Sequence, residues 1–156
     1  MKKIIGLVAS LTLISGICAA VLAYVDKITA EPIKASAEKA REAARVAVLC
    51  GEEGYTAEGR SGEGYGGDIV LMVGFKKDRK TVISYKVLKA SETPGLGMKL
   101  STPEFSGQFK GKDGTALMVK KDGGDIEAIT SATITSRAVC KAIADAQKNL
   151  GAGSGD

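Results

Sequence analysis

Between Ile4 and Tyr24 the chain runs for 21 residues without an Asp, Glu, Lys or Arg. As an α-helix such a run is roughly 31 Å long, about the hydrocarbon thickness of a bilayer. The segment is therefore expected to be a transmembrane anchor occupying residues 1–25. Lys2 and Lys3 precede it, and the positive-inside tendency assigns that end to the cytoplasm and the chain beyond Asp26 to the other side. A cleaved signal peptide is the alternative, but its apolar core is normally ~7–15 residues, so an uncleaved anchor is expected. "SGIC", ending at Cys18, has the outline of a lipoprotein signal. Ile17 is bulky for that pattern, and Cys18 reads as a small apolar residue of the helix.

About 130 residues remain beyond Asp26, enough for one modest core. The net charge of +4 comes from basic residues interleaved with acidic ones, which gives no argument for nucleic acid. Histidine is absent, which removes the commonest general base near neutral pH and the commonest metal ligand. Cys50 and Cys140 have no zinc or iron–sulfur spacing; a disulfide between them is one option in an oxidising compartment. Any chemistry is expected from a bound group.

Residues 26–50 are expected to form a juxtamembrane helix. "EPIKASAEKAREAARVAVL" (Glu31–Leu49) is Ala-rich, has Pro32 at a position suited to a first turn, and repeats Ile33, Ala37, Ala40, Ala44 and Val48 at helical spacing. Residues 51–150 are expected to form an extracytoplasmic domain. Its glycine-dense start, Cys50–Asp68, reads as a loop or weak strands with bends. Asp68–Phe75 and Thr81–Ala90 read as a hairpin; in the second, Val82, Ser84 and Lys86 alternate with Ile83, Tyr85 and Val87, so one face is expected to be exposed. "TALMVKK" (Thr115–Lys121) and "DIEAIT" read as strands separated by a turn at Asp122–Asp125. From about Thr135 to Leu150, Val139, Ala142, Ile143, Ala146 and Leu150 mark one face of an amphipathic helix. Residues 151–156 read as a flexible tail. The class is α+β, an antiparallel sheet with flanking helices.

Two stretches carry candidate chemistry. In "ITSATITS" (Ile129–Ser136) five of eight residues bear hydroxyls, at the turn leading into the last helix. The first N–H groups of a helix are unpaired and its dipole favours an anion. Small residues Ser131 and Ala132 admit a phosphate, to which Thr130, Ser131, Thr133 and Thr135 can donate. The competing reading is an ordinary N-cap by Thr135 or Ser136. In "ETPGLG" (Glu92–Gly97), Pro94-Gly95 is a type II turn signal with Gly95 at positive φ. Gly97 frees the backbone again, and Leu96 offers an apolar contact to a planar ligand.

In this order, behind an apolar N-terminal helix and "ITAEPI", the two stretches resemble the FMN-binding domain family, and within it the G subunits of Rnf electron-transport complexes. The C subunits of sodium-pumping NADH:quinone reductases are near relatives. The family's flavinylation motif (Asp, two residues, Ser/Thr, usually Gly, Ala, Thr) matches Glu127, Ala128, Ile129, Thr130, Ser131, Ala132 and Thr133. Glu127 replaces the usual Asp, and Ser131 the usual Gly. The resemblance implies FMN joined by a phosphoester to Thr133, attached by a separate flavin transferase. Thr130, Ser131, Ala132 and Thr135 would lie at the phosphate, and Glu92, Thr93, Gly95, Leu96 and Gly97 at the ring or its tail. It further implies an electron carrier within a membrane ion-translocating ferredoxin:NAD+ oxidoreductase (an Rnf complex), partnered by the other membrane proteins of that complex and not catalytic alone. A membrane-anchored interaction module without covalent flavin, or a flavin domain serving another extracytoplasmic reductase, are the alternatives.

Overall fold

The structure, a computed structural model, describes residues 2–152, and the side chains of residues 4–150. It divides into two compact units, Met1–Lys39 and Ala40–Asp156. A single helix, α1 (Lys2–Leu49), supplies all the described residues of the first and the start of the second. The apolar and juxtamembrane helices are thus continuous, and Pro32 lies inside α1, not in a first turn. Helix α1 is long and apolar enough to cross a membrane by length and composition. The leucine, isoleucine and valine side chains from Ile4 to Val25 are about half to three-quarters exposed, as a lipid-facing helix requires.

In the second unit, β1 (Gly54–Gly64), β2 (Gly67–Lys76) and β3 (Val82–Lys89) form an antiparallel sheet in that order. Alternation along central β2 sorts its side chains between two faces. Ile69, Leu71, Val73 and Phe75 join the main core with Val139, Ala142, Ile143 and Ala146 of α2 (Thr133–Ala152). Met72 packs with Ala44, Val48 and Leu88 on the other face. The end of α1 covers that face in part, and the Ser84 hydroxyl donates to Val48 O at 2.9 Å; of the face of β3 expected to be exposed, Lys86 is exposed, Ser84 half-buried and Val82 buried. A register shift lets Phe75 pair with Val82 and Gly74 with Ser84. The shift breaks the alternation, so Val82 and Tyr85 share one core.

Of the two readings of the glycine-dense stretch, a loop or weak strands with bends, the structure shows a strand, the 11-residue β1. Helix packing is the reason: a Cβ at Gly59 would lie 2.0 Å from Ala142 O and 2.6 Å from Ala146 N. Only a bare backbone lets α2 seat on the sheet so closely. Thr115–Lys121 and Asp125–Thr130 are not strands. They meet in one parallel bridge, Val119 with Ile126, around a 3-10 turn at Lys120–Asp122 closed by Gly123 at φ 89°. Val119 and Ile126 insert singly into the main core beside Leu100, Phe105 and Phe109. Tyr85 and Phe109 meet edge to face, and the Tyr85 hydroxyl donates to Leu100 O at 2.5 Å, which fixes the 97–109 segment on the sheet. Residues 151 and 152 are helical; 153–156, the rest of the expected tail, lie outside the described residues. Cys18, Cys50 and Cys140 are all free, and Cys140 is buried whereas Cys50 is exposed, so these two are not paired. Burial pushes the Cys140 thiol up to about 12.

Candidate functional site

The N-terminus of α2 forms one wall of a cleft of about 550 Å³. Ser131, Ala132, Thr133, Ile134 and Thr135 line it from the helix side; Glu92, Thr93, Leu96 and Gly97 line it from the mid-chain loop; Tyr65 lines it from the β1–β2 turn. The volume is that of an ordinary cofactor cleft.

Helix α2 begins two residues earlier than its apolar periodicity predicts. Ser136 N donates to Ala132 O at 3.0 Å, which makes Ala132 the N-cap, a residue without a capping side chain. Among the described residues no side chain caps the N–H groups of Thr133, Ile134 and Thr135, so they face the cleft end of the helix unpaired. Neither Thr135 nor Ser136 is the expected cap, because both lie inside the first turn and are spent elsewhere. Ser136 is fully buried, donating to Ala132 O at 2.9 Å and accepting from Ile129 N at 3.0 Å. Thr135 is 1% exposed and donates to Glu92 Oε2 at 2.7 Å.

Glu92 is itself buried, and its second oxygen accepts Gly66 N–H at 3.2 Å. It is therefore part of the cleft's framework, a carboxylate bridging α2, the mid-chain loop and the β1–β2 turn. Thr135→Val removes one of its two hydrogen bonds at nearly constant shape. It is expected to lower stability by about 1–3 kcal/mol, read as a shift of the urea midpoint.

Thr133 differs from its neighbours. Its side chain is partly exposed, and its Oγ1 accepts a hydrogen bond from Lys121 Nζ at 3.5 Å. Lys121 belongs to the 3-10 turn that Arg137 grips: Nε and an Nη of Arg137 each donate to Asp122 at 2.6 Å. The Arg137 hydrogen bond and charge hold the Asp122 carboxyl below its usual range. That clamp keeps a lysine beside the Thr133 hydroxyl.

Ser131 has φ +63°, in the left-handed region, where a side chain costs roughly 1–2 kcal/mol relative to glycine. The turn into α2 demands this conformation, which is a physical reason for glycine there. Ser131→Gly is expected to leave the urea midpoint unchanged or raise stability by up to about 1 kcal/mol, strain relief being offset by glycine's greater unfolded-state freedom.

The turn at Thr93–Leu96 forms as expected, with Leu96 N donating to Thr93 O at 3.2 Å and Gly95 at φ 75°. Gly95 shapes the loop without lining the cleft, whereas Gly97 lines it. Thr130 is not with Thr133: it lines a second, smaller cleft of about 250 Å³ with Lys99, Gln108 and Glu127. Its segment turns away there because Glu127 N donates to Gln108 Oε1 at 2.8 Å. Tyr65 and Lys121 were missed. Tyr65 stands between glycines in a stretch whose composition signals only a turn, and Lys121 is one lysine in a polar run.

Comparison with known proteins bears on this cleft. Residues 64–148 match the FMN-binding domain family, a span that includes all the lining residues. The chain is 41% identical over 102 residues to the G subunit of the ion-translocating oxidoreductase complex of Methanosarcina acetivorans, covering 65% of this chain and 54% of that protein. It is 45% identical over 91 residues to the G subunit of the proton-translocating ferredoxin:NAD(+) oxidoreductase complex of Clostridium ljungdahlii, covering 56% and 49%. The chain thus spans about half the length of these relatives. The C subunit of the Na(+)-translocating NADH-quinone reductase of Parabacteroides distasonis aligns with a TM-score of 0.47 at 25% identity, over 61% of this chain and 53% of that one.

Proposed function

The chain belongs to the FMN-binding domain family, and on that premise we propose that it is a membrane-anchored electron carrier holding FMN by a phosphoester to Thr133 Oγ1. The observation that carries this reading is the partly exposed Thr133 hydroxyl lining the cleft, on an uncapped helix end beside a lysine. Bound FMN supplies the redox chemistry; the chain's task is to hold and orient it. The unpaired N–H groups of the first turn and the helix dipole suit a phosphate. Lys121 adds a positive charge at the same oxygen. Small side chains at Ser131 and Ala132 leave the approach open, and Leu96 and Ile134 offer apolar contact to a ring.

The attachment balances as a transfer from FAD. The Thr133 oxygen bonds to the phosphorus of the FMN half, the phosphoanhydride bond breaks, AMP leaves, and the hydroxyl proton is lost. A separate flavin transferase carries this out, and Thr133 is its substrate before it becomes the cofactor's anchor.

By its likeness to the two G subunits, the chain serves a membrane complex of several proteins that couples electron flow between ferredoxin and NAD+ to ion transport. Lys2 and Lys3 orient its flavin domain away from the cytoplasm. Purification of the full chain from cells containing the transferase tests both levels. A protein band fluorescent under denaturing conditions, together with multi-span partners in mild detergent, is the expected result. A non-fluorescent band from transferase-containing cells would leave the reading of an interaction module without flavin.

A further inference from the structure

We propose that Tyr65 is the stacking wall for the isoalloxazine ring and that Glu92 is the positioning residue that holds it there, an inference that rests on the FMN reading above. Tyr65 is 73% exposed, more than any other aromatic side chain outside α1. A lone exposed aromatic is ordinary; the structure beneath this one is not. Tyr65 lies in the tight turn between β1 and β2, and the next residue, Gly66, donates its N–H to the buried Glu92 carboxylate. The other oxygen of that carboxylate accepts from Thr135, two residues beyond Thr133 on the same helix. One buried group therefore ties the turn carrying Tyr65 to the helix end carrying the attachment hydroxyl.

The glycines around it make the junction tight. A Cβ at Gly66 would lie 1.8 Å from Ser91 O, and one at Gly97 would lie 2.5 Å from Glu92 Oε2 and 3.0 Å from Thr135 Oγ1. The β1–β2 turn and the mid-chain loop thus close around Glu92 with no room for a side chain at Gly66 or Gly97, while α2 reaches it through the Thr135 hydroxyl. A buried carboxylate is retained at a cost that only its hydrogen bonds offset. Here those bonds fix the separation between two walls of a cleft. Tyr65, Leu96 and Ile134 all line that cleft and are all well exposed, which is the lining a planar aromatic ring calls for.

An electron-rich phenol stacked on a flavin quenches its fluorescence, so brightness per bound flavin reads the contact directly. Flavinylated full-length protein would be compared with Tyr65→Leu, Tyr65→Trp, Glu92→Ala and Glu92→Gln, each normalised to flavin absorbance, with intact mass recorded alongside. Tyr65→Leu is expected to be several-fold brighter per flavin, and Tyr65→Trp as dim as the parent or dimmer. Glu92→Ala is expected to brighten toward Tyr65→Leu, while Glu92→Gln, which keeps an acceptor for Gly66 N–H, stays dim. If Tyr65→Leu carries the adduct and is no brighter than the parent, the stacking role is wrong. If Glu92→Ala carries the adduct and stays as dim as the parent, the positioning role is wrong. A parent protein without any flavin mass overturns the FMN reading itself and this inference with it.

Discussion

Thr133→Ala is expected to abolish covalent flavin, reducing the fluorescence of the denatured protein band to background while leaving the fold intact. The argument is one of access. Four other hydroxyls lie within a few residues, and three are accounted for by the structure. Thr135 is 1% exposed and bonded to Glu92, Ser136 is fully buried between Ile129 and Ala132, and Thr130 lines a different cleft. Ser131 is exposed and lines the same cleft, so it is the one competitor. It precedes the helix in a strained left-handed conformation, whereas Thr133 sits on the helix itself beside Lys121. Thr133→Ala removes a partly exposed side chain from the first turn of α2, and a stability change within about 0.5 kcal/mol is expected. Thr133→Ser keeps a hydroxyl at the same position and is expected to restore signal. Full fluorescence in Thr133→Ala would move the attachment to Ser131.

The second large effect concerns the scaffold. Gly59→Ala is expected to destabilise the domain by about 2–4 kcal/mol, a fall in Tm of roughly 10 °C for a domain of this size. The added Cβ would meet Ala142 O at 2.0 Å, Ala146 N at 2.6 Å and the Ala146 methyl at 2.7 Å. Two of these are backbone atoms of a helix, which cannot rotate away as a side-chain tip would. Relief requires α2 to lift from β1, which opens the core around Val139, Ile143 and Ala146. Gly62→Ala in the same strand is the control: its Cβ would find only Asp68 Oδ1, at 3.5 Å, and near-neutral stability is expected. Thermal melts of both variants in detergent, followed by circular dichroism, make the comparison. Equal Tm values would mean that α2 does not seat on β1 as described.

What was legible in the sequence follows from periodicity and turn chemistry. The apolar run, the Asp68–Phe75 and Thr81–Ala90 strands, the Pro94-Gly95 turn and the apolar face of the last helix all carry local signals that the fold obeys. Strand β1 reads no more firmly than a loop or weak strands with bends because glycine has no strand propensity of its own; the sheet pairing and the close seat of α2 make it a strand. Thr115–Lys121 failed in the opposite direction. Its β-branched and apolar residues look like a strand, yet Val119 is the one residue there that the core fully buries, and the chain turns at Lys120–Asp122. At the cleft, the two short stretches supplied most of the lining residues, but not their division of labour. Glu92 and Thr135 both line the cleft, and nothing local in the sequence reveals that each is the other's hydrogen-bond partner from 43 residues away. Tyr65 was invisible for the same reason: its place depends on a pairing between distant segments.

The most direct measurement is fragmentation mass spectrometry of the tryptic peptide Asp122–Arg137 from protein matured with the flavin transferase. That peptide contains Thr130, Ser131, Thr133, Thr135 and Ser136, every hydroxyl in question. One FMN attached through phosphate, on a fragment series that localises it to Thr133, is the result expected. An unmodified peptide, or an adduct on any of the other four residues, would contradict the assignment.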